Sequence, residues 1–286
     1  MKKYLSLLLI GASFAATATS AMAADVIDTP QIIEAPEPVY VAAASGWYIR
    51  GDVGYVINGN LYTDYVTYGG VGGSNFLTGK IGKGFSGGLG VGYQVTDYLR
   101  GEISADYFSS AKFNGSTVGG PCLIGAASIA NCVSVDTDSY SALSIMANTY
   151  IDLGTFNRIT PYVGAGIGVT RIKWAGLNNV ECDAANPANC NPAIVHPGGS
   201  GLRASAALMV GASYDITCNL KADLGYRFRY TSGGRHFDFQ TNAGPGEHRA
   251  LTTHEVRTGL RWAIGGKNCG GPVVTYPEPV NPPVYK

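Results

Sequence analysis

Charged residues are scarce in this 286-residue chain, at 14%, whereas soluble globular domains carry about 25%. Much of the surface is therefore not built to face water. Lys plus Arg equals Asp plus Glu, at 20 each, so no net field steers the chain toward an acidic substrate, and nucleic acid is not an expected partner. Beyond residue 23 no apolar run is long enough for a membrane helix. No C-x-x-C pair occurs, and the four histidines are not completed by cysteines or carboxylates at metal-ligand spacing, so no metal or other cofactor is expected.

Glycine is plentiful, with 40 residues, and aromatics reach 10%. Lys2 and Lys3, the short apolar stretch from Leu5 to Ala16, and Ala21-Met22-Ala23 have the order of a cleaved export signal, predicted over residues 1–23. Residues 24–45 form a predicted proline-rich periplasmic linker. The tail over 265–286 is similar, since Pro277-Glu278-Pro279-Val280 repeats the order of Pro36-Glu37-Pro38-Val39. Export also permits disulfides, and an even count of six cysteines suggests that they are used; 15 connectivities are open on count alone.

From residue 46 to 264 side chains alternate with period two, the pattern of strands with two unlike faces. In the first segment Trp47, Ile49, Val53 and Tyr55 oppose Tyr48, Arg50, Asp52 and Gly54. In the seventh, Leu224, Tyr226, Phe228 and Tyr230 oppose Asp223, Gly225, Arg227 and Arg229. Eight such segments alternate between tight and long connections, as in a membrane barrel with short turns on one side and long loops on the other.

A soluble barrel of the lipocalin kind would alternate in the same way with its apolar face inward. The polar face argues against that, because as an exterior it would offer water runs such as Gly88, Gly90 and Gly92 and few charges. Turned inward, its charges can pair. Arg50, Arg100, Arg203, Lys221, Arg227, Arg229, Arg257 and Arg261 would share a lumen with Asp52, Glu102, Asp106, Asp215, Asp223 and Glu255. Trp47, Tyr93, Tyr107, Tyr214, Tyr230 and Trp262 lie near the ends of the apolar faces and form a predicted aromatic girdle.

Three passages resemble the outer-membrane β-barrel, porin-family proteins of alphaproteobacteria, of the RopB-like group. They are Gly46-Trp47-Tyr48-Ile49-Arg50-Gly51-Asp52-Val53-Gly54-Tyr55, Thr160 to Val169 with its Gly164, Gly166 and Gly168, and the last strand. There Arg257, Gly259, Trp262 and Ile264 resemble the signal read by the barrel-assembly machinery, although here a proline-rich tail follows it. The resemblance implies an all-β, eight-stranded antiparallel transmembrane barrel of OmpA/OmpX size over residues 46–264, in the bacterial outer membrane among lipid and lipopolysaccharide. It further implies an abundant surface protein contributing to envelope integrity and offering its loops to a host or environmental ligand.

Catalytic signals are weak, and the chain is read as a non-enzyme. Gly84, Ser86 and Gly88 match a G-x-S-x-G spacing, but that motif requires a strand-to-helix turn and here lies within a strand. His254 sits on a predicted lipid-facing side without an assignable serine and acid, so a lipid-modifying activity is the weakest reading. His236 and His248 are read as surface histidines of the last long loop, and Tyr65, Tyr68 and Phe113 as loop residues. Loop positions suggest the disulfides Cys122–Cys132 and Cys182–Cys190, and strand adjacency suggests Cys218–Cys269 below the barrel. Eight strands leave an interior only just filled by side chains, so a small-solute pore ranks second to a structural surface protein. The repeated tail order also raises contact with peptidoglycan.

Overall fold

The computed structural model of the chain describes residues 46–67, 73–76, 78–117, 121–240 and 243–264. All of them belong to one compact unit, Tyr40–Val273. A second unit, Met1–Val39 with Val274–Lys286, lies outside the described residues, as do the predicted signal peptide, linker and tail.

Eight long strands form the main sheet: β1 (Gly46–Asn58), β2 (Gly84–Gln94), β3 (Leu99–Ser116), β4 (Cys132–Asp152), β5 (Ile159–Trp174), β6 (Ser200–Asp215), β7 (Leu220–Thr231) and β8 (Leu251–Ala263). Each pairs antiparallel with its sequence neighbours, and β1 pairs with β8 over Tyr48↔Ala263 to Asn58↔Thr253, which closes the ring. Closure leaves no unpaired edge along the wall, the condition for a sheet to cross lipid. No described helix is long and apolar enough to cross a membrane. The outward face is apolar, with Leu89, Ile103, Ile167 and Leu208 more than 60% exposed in the isolated chain. Lipid, not water, is the solvent that such a wall fits.

Tight turns join β2 to β3, β4 to β5 and β6 to β7, with Val95 and Thr96 both donating to the Leu99 carbonyl in the first and Ile216 and Thr217 to that of Leu220 in the third. The opposite end departs from the sequence reading. β3 and β4 run for 18 and 21 residues, about twice the 9 to 11 needed to span the hydrocarbon. Cys132 and Phe113 therefore lie on strands rather than in a loop. A register shift between Phe108 and Ala111 also inverts the alternation in β3, turning Ala111 and Phe113 inward. Such a bulge adds one residue and swaps faces, which is why period-two counting lost Phe113.

The loops are themselves sheet. Gly234–Phe237, Ala243–His248, Thr63–Thr67 and Gly73–Asn75 form a four-stranded sheet from the first and last long loops. Gly176–Asp183 continues along the outer part of β4 and carries Ile194–Pro197 on its other edge. A core of Leu61, Phe76, Phe113, Tyr140, Trp174, Leu177 and Phe237 packs at the loop end. Loops that bury this much apolar surface are a built cap.

Candidate functional site

The lumen holds charge in pairs. Arg50 lies 2.8 Å from Asp52, Arg257 2.7 Å from Asp52, and Arg100 3.1 Å from Asp152. Arg227 sits between Asp106 at 2.8 Å and Glu255, to which its Nε donates at 2.7 Å. Arg261 reaches Asp223 at 3.3 Å. Tyr48 and Tyr150 both donate to Glu102, at 3.1 and 3.2 Å, and Arg100 lies over the Tyr150 and Tyr162 rings at 4.3 and 4.7 Å. These contacts meet the large cost of taking charge out of water.

Close packing closes this lumen to solvent. Arg50, Arg100, Arg227, Arg229, Arg257 and Arg261, with Asp52, Glu102, Asp106, Asp152, Asp223 and Glu255, are each at most 9% exposed. A water-sized sphere inside an open channel would touch them, so a filled interior follows. The inward glycines contribute: a Cβ at Gly92 would collide with the Tyr48 ring, and one at Gly88 with the Asp106 carboxylate. A concavity of about 550 Å³ lies instead at the apolar wall among Ile49, Leu89, Val91, Ile103 and Trp262.

Three of the cations expected in the network stand apart from it. Lys221 pairs with Asp215 at 2.8 Å, but the pair is partly exposed at the turn end, as strand-terminal residues must be. Arg203 sits half-buried near the loop end, donates to the Leu202 carbonyl at 3.1 Å, and has no ion-pair partner among the described residues. Arg229 likewise lacks one, and lies over Phe108 at 3.7 Å. Asp152, absent from the sequence-derived set, belongs to the network. Its signal was period-two spacing from Ser144 and Asn148 on β4.

Above Arg229 the cap begins, and here the histidine expectation is corrected. His236 and His248 are 0% and 2% exposed, not surface residues, because the loop sheet folds them over Trp174, Phe113 and Phe237. His236 meets Thr63 Oγ1 at 3.1 Å through Nδ1 and faces Asp138 at 3.4 Å through Nε2. Burial holds His236 below the usual histidine range and pushes His248 down to about 4, so both are neutral at pH 7. The order Asp138, His236, Thr63 has the parts of an acid–base relay, but Thr63 is fully buried and meets no substrate. Phe113 is a core residue; Tyr65 packs on Phe76 and Phe237, and Tyr68 lies outside the described residues.

Disulfides close Cys122 to Cys132 and Cys182 to Cys190. Glu181 lies near the first pair, but bonded sulfurs offer no thiolate to a metal. Cys218, in the β6–β7 turn, is also disulfide-bonded; Cys269 lies outside the described residues. Ser86 is buried in β2, with its Oγ bonded to Glu255, far from a nucleophile elbow. His254 is outward-facing and shares a 2.6 Å hydrogen bond with Tyr226.

Of the girdle residues, Trp47, Tyr93, Tyr214 and Trp262 lie at the turn end, where the Trp47 and Tyr93 rings meet at 5.1 Å. Tyr107 and Tyr230 lie toward the loop end, where sequence reasoning missed the edge-to-face outward pair Tyr55 and Phe85, 5.6 Å apart. On β8 the terminal motif has Arg257 buried in the lumen, Gly259 against Asp52, and Trp262 and Ile264 exposed on the wall.

Comparison with known proteins agrees with this architecture. An uncharacterized protein of Brucella suis biovar 1 (strain 1330) is 33% identical over 274 residues, covering 85% of this chain and 94% of that protein. A Rickettsia bellii (strain OSU 85-389) protein named "Putative adhesin" is 25% identical over 225 residues, covering 76% and 88%. Among solved structures, Neisserial surface protein A aligns over 77% of this chain and 99% of its own, at 16% identity and a TM-score of 0.42. The family model for the outer membrane protein beta-barrel domain matches residues 11–263. The chain therefore belongs to the outer membrane protein beta-barrel family and resides in the bacterial outer membrane.

Proposed function

We propose that this protein is a structural surface protein of the alphaproteobacterial, RopB-like kind, whose plugged barrel anchors a rigid loop cap outside the cell for contact with a host or the environment. One observation carries the reading: the first and last long loops pair into one sheet over a filled lumen. A conducting barrel gains nothing from a filled interior, whereas a presenting scaffold gains from rigidity, which lowers the entropy lost on binding. The name of the Rickettsia relative agrees with adhesion.

Lipid contacts fit the same placement. Lys112, Arg171 and Lys173 point outward at the loop end of β3 and β5, beside Leu143 and Leu202 of the apolar wall. Cations at that height suit the phosphates of lipopolysaccharide. The turn-end aromatics and the Arg257, Gly259, Trp262 and Ile264 motif suit the inner interface and assembly-machinery recognition.

The test is display in a non-adherent bacterium of the intact chain and of a variant with residues 59–83 and 232–250 replaced by short turns. Adherence to host cells or matrix by the intact chain, lost in the variant, is expected. Adherence no greater than that of barrel-free cells, or equal in both, overturns the reading.

A further inference from the structure

Among the outward-facing positions of the eight strands, Lys112 on β3 and Arg171 and Lys173 on β5 are the only Lys, Arg, Asp or Glu residues. All three are basic and exposed, and none has an ion-pair partner among the described residues. Charge on a wall that faces lipid is costly unless it reaches water or a headgroup. Three such charges gathered on one side of the barrel therefore call for a counterpart.

Strand register brings them to one point. Lys112 lies opposite Ser139 on one side of β4, while Lys173 lies opposite Ser141 and Arg171 opposite Leu143 on the other. Ser141 is thus directly across from Lys173 and one diagonal step from both Lys112 and Arg171. Adjacent strands stand about 5 Å apart, and diagonal neighbours at about 7–8 Å are within reach of long side chains. Between the cations β4 presents only short side chains. Ser139 and Ser141 are half-buried, and their hydroxyls have no hydrogen-bond partner among the described residues. The result is a trough floored by two hydroxyls and flanked by three cations.

Its height is set by the wall beneath it. The stretch Leu143–Asp152 of β4 has the length of about 9 to 11 residues that crosses the hydrocarbon. Ser141 and Ser139 stand just beyond it, at headgroup level. Tyr107 lies opposite Leu143 on β3, Leu202 lies opposite Arg171 on β6, and all three apolar side chains are exposed. Ammonium, guanidinium and hydroxyl groups all donate hydrogen bonds, and three unbalanced cations suit an anion of more than one charge. A phosphate monoester, with close to two charges and three acceptor oxygens, has that chemistry. The apolar residues directly below require that the phosphate be carried on acyl chains.

We propose that Lys112, Arg171 and Lys173 form a single clamp for one phosphate monoester of an outer-leaflet glycolipid, centred on Ser141, with that lipid's acyl chains along Leu143, Tyr107 and Leu202. The clamp deepens the lipid contacts of the proposed function and rests on the same placement in the membrane. It also makes them one-sided, since the outward positions of β1, β2, β6, β7 and β8 hold no Lys or Arg. A free phosphate ion meets the same donors but gains nothing from the wall, and exposed ion pairs alone contribute little.

Native mass spectrometry of the refolded full chain in neutral detergent tests this by counting bound lipid. The probes are bisphosphorylated lipid A, the same lipid with both phosphates removed, and inorganic phosphate. One bisphosphorylated lipid A per chain is expected, bound at least about tenfold more tightly than the dephosphorylated lipid, with no adduct from inorganic phosphate. The triple variant Lys112→Gln, Arg171→Gln, Lys173→Gln should lose that preference. Arg235→Gln with Arg249→Gln, which removes charge from the loop sheet, should keep it. Unchanged heat-modifiable electrophoretic mobility shows that each variant is folded. Equal binding of the two lipids, no binding of either, a preference undiminished in the folded triple variant, or the same loss in the loop-sheet variant overturns the proposal. Inorganic phosphate bound as tightly as the lipid overturns its lipid source. Since the assay involves no host cell, its failure is distinguishable from a failure of adhesion.

Discussion

Arg229 lies 3.7 Å over the ring of Phe108, at the level where the charged lumen gives way to the aromatic cap. The Arg229 Nε and Nη1 have no hydrogen-bond partner, and no described carboxylate lies within ion-pair distance. Arg227, its neighbour two residues earlier on the same face, is held by both Asp106 and Glu255.

The two arginines should therefore respond oppositely to truncation. Arg227→Met leaves two buried carboxylates short of a partner and is expected to cost about 3–5 kcal/mol. Arg229→Met exchanges a poorly satisfied cation for a side chain that also packs on Phe108, and should cost under about 1 kcal/mol or stabilise. Urea unfolding of the refolded barrel in lipid vesicles measures both. Equal losses would mean that Arg229 has a partner that the static contacts omit.

Acid should loosen the cap before the barrel. His236, His248 and His196 all have folded values below the ordinary 6.5, with burial as the leading cause. Below about 6.5 the unfolded cap binds more protons than the folded cap, so the stability they leave intact at pH 7.5 is lost as pH falls. For His248 this window extends to about 4. Asp138 facing His236 opposes the loss, Arg203 near His248 adds to it, and Asp136, held above its ordinary range by burial, acts in the opposite direction. Emission from Trp174, in a background where Trp47 and Trp262 are Phe, should shift to the red between pH 7.5 and 5. His248→Gln should reduce that shift.

Reduction should affect loops and spare the wall. The Cys122–Cys132 and Cys182–Cys190 bridges span 10 and 8 residues at the loop end, and short closures of that size contribute about 2–3 kcal/mol to local order. Dithiothreitol is expected to expose sites near residues 121–131 and 183–191 to protease while heat-modifiable mobility is unchanged. Non-reducing peptide mapping should return both pairs, and Cys218 joined to Cys269 as the third.

The barrel wall was legible in the sequence because a strand in lipid must alternate, and each of the eight segments does so between Gly46 and Ala263. The lumen was legible in part of its membership, with Asp152 missed and Lys221, Arg203 and Arg229 standing apart, but not in its pairing, since Arg50 and Asp52 sit two apart on one strand whereas Arg257 meets Asp52 across 205 residues. The cap was not legible. Its folding depends on the bulge after Phe108, which inverts the face pattern, and on pairing between Thr63–Thr67 and Ala243–His248, for which no local period exists. His236 and His248 read as surface residues because loops are polar on average, and only this long-range pairing buries them.

Planar-bilayer recording on the purified, refolded full chain tests the central claim, that the barrel is an anchor with a filled interior. Twelve lumen charges at most 9% exposed predict a silent membrane at moderate voltage, with conductance appearing only when Arg227 or Arg257 is truncated. Steady, reproducible single-channel steps from the unmodified protein would contradict the account.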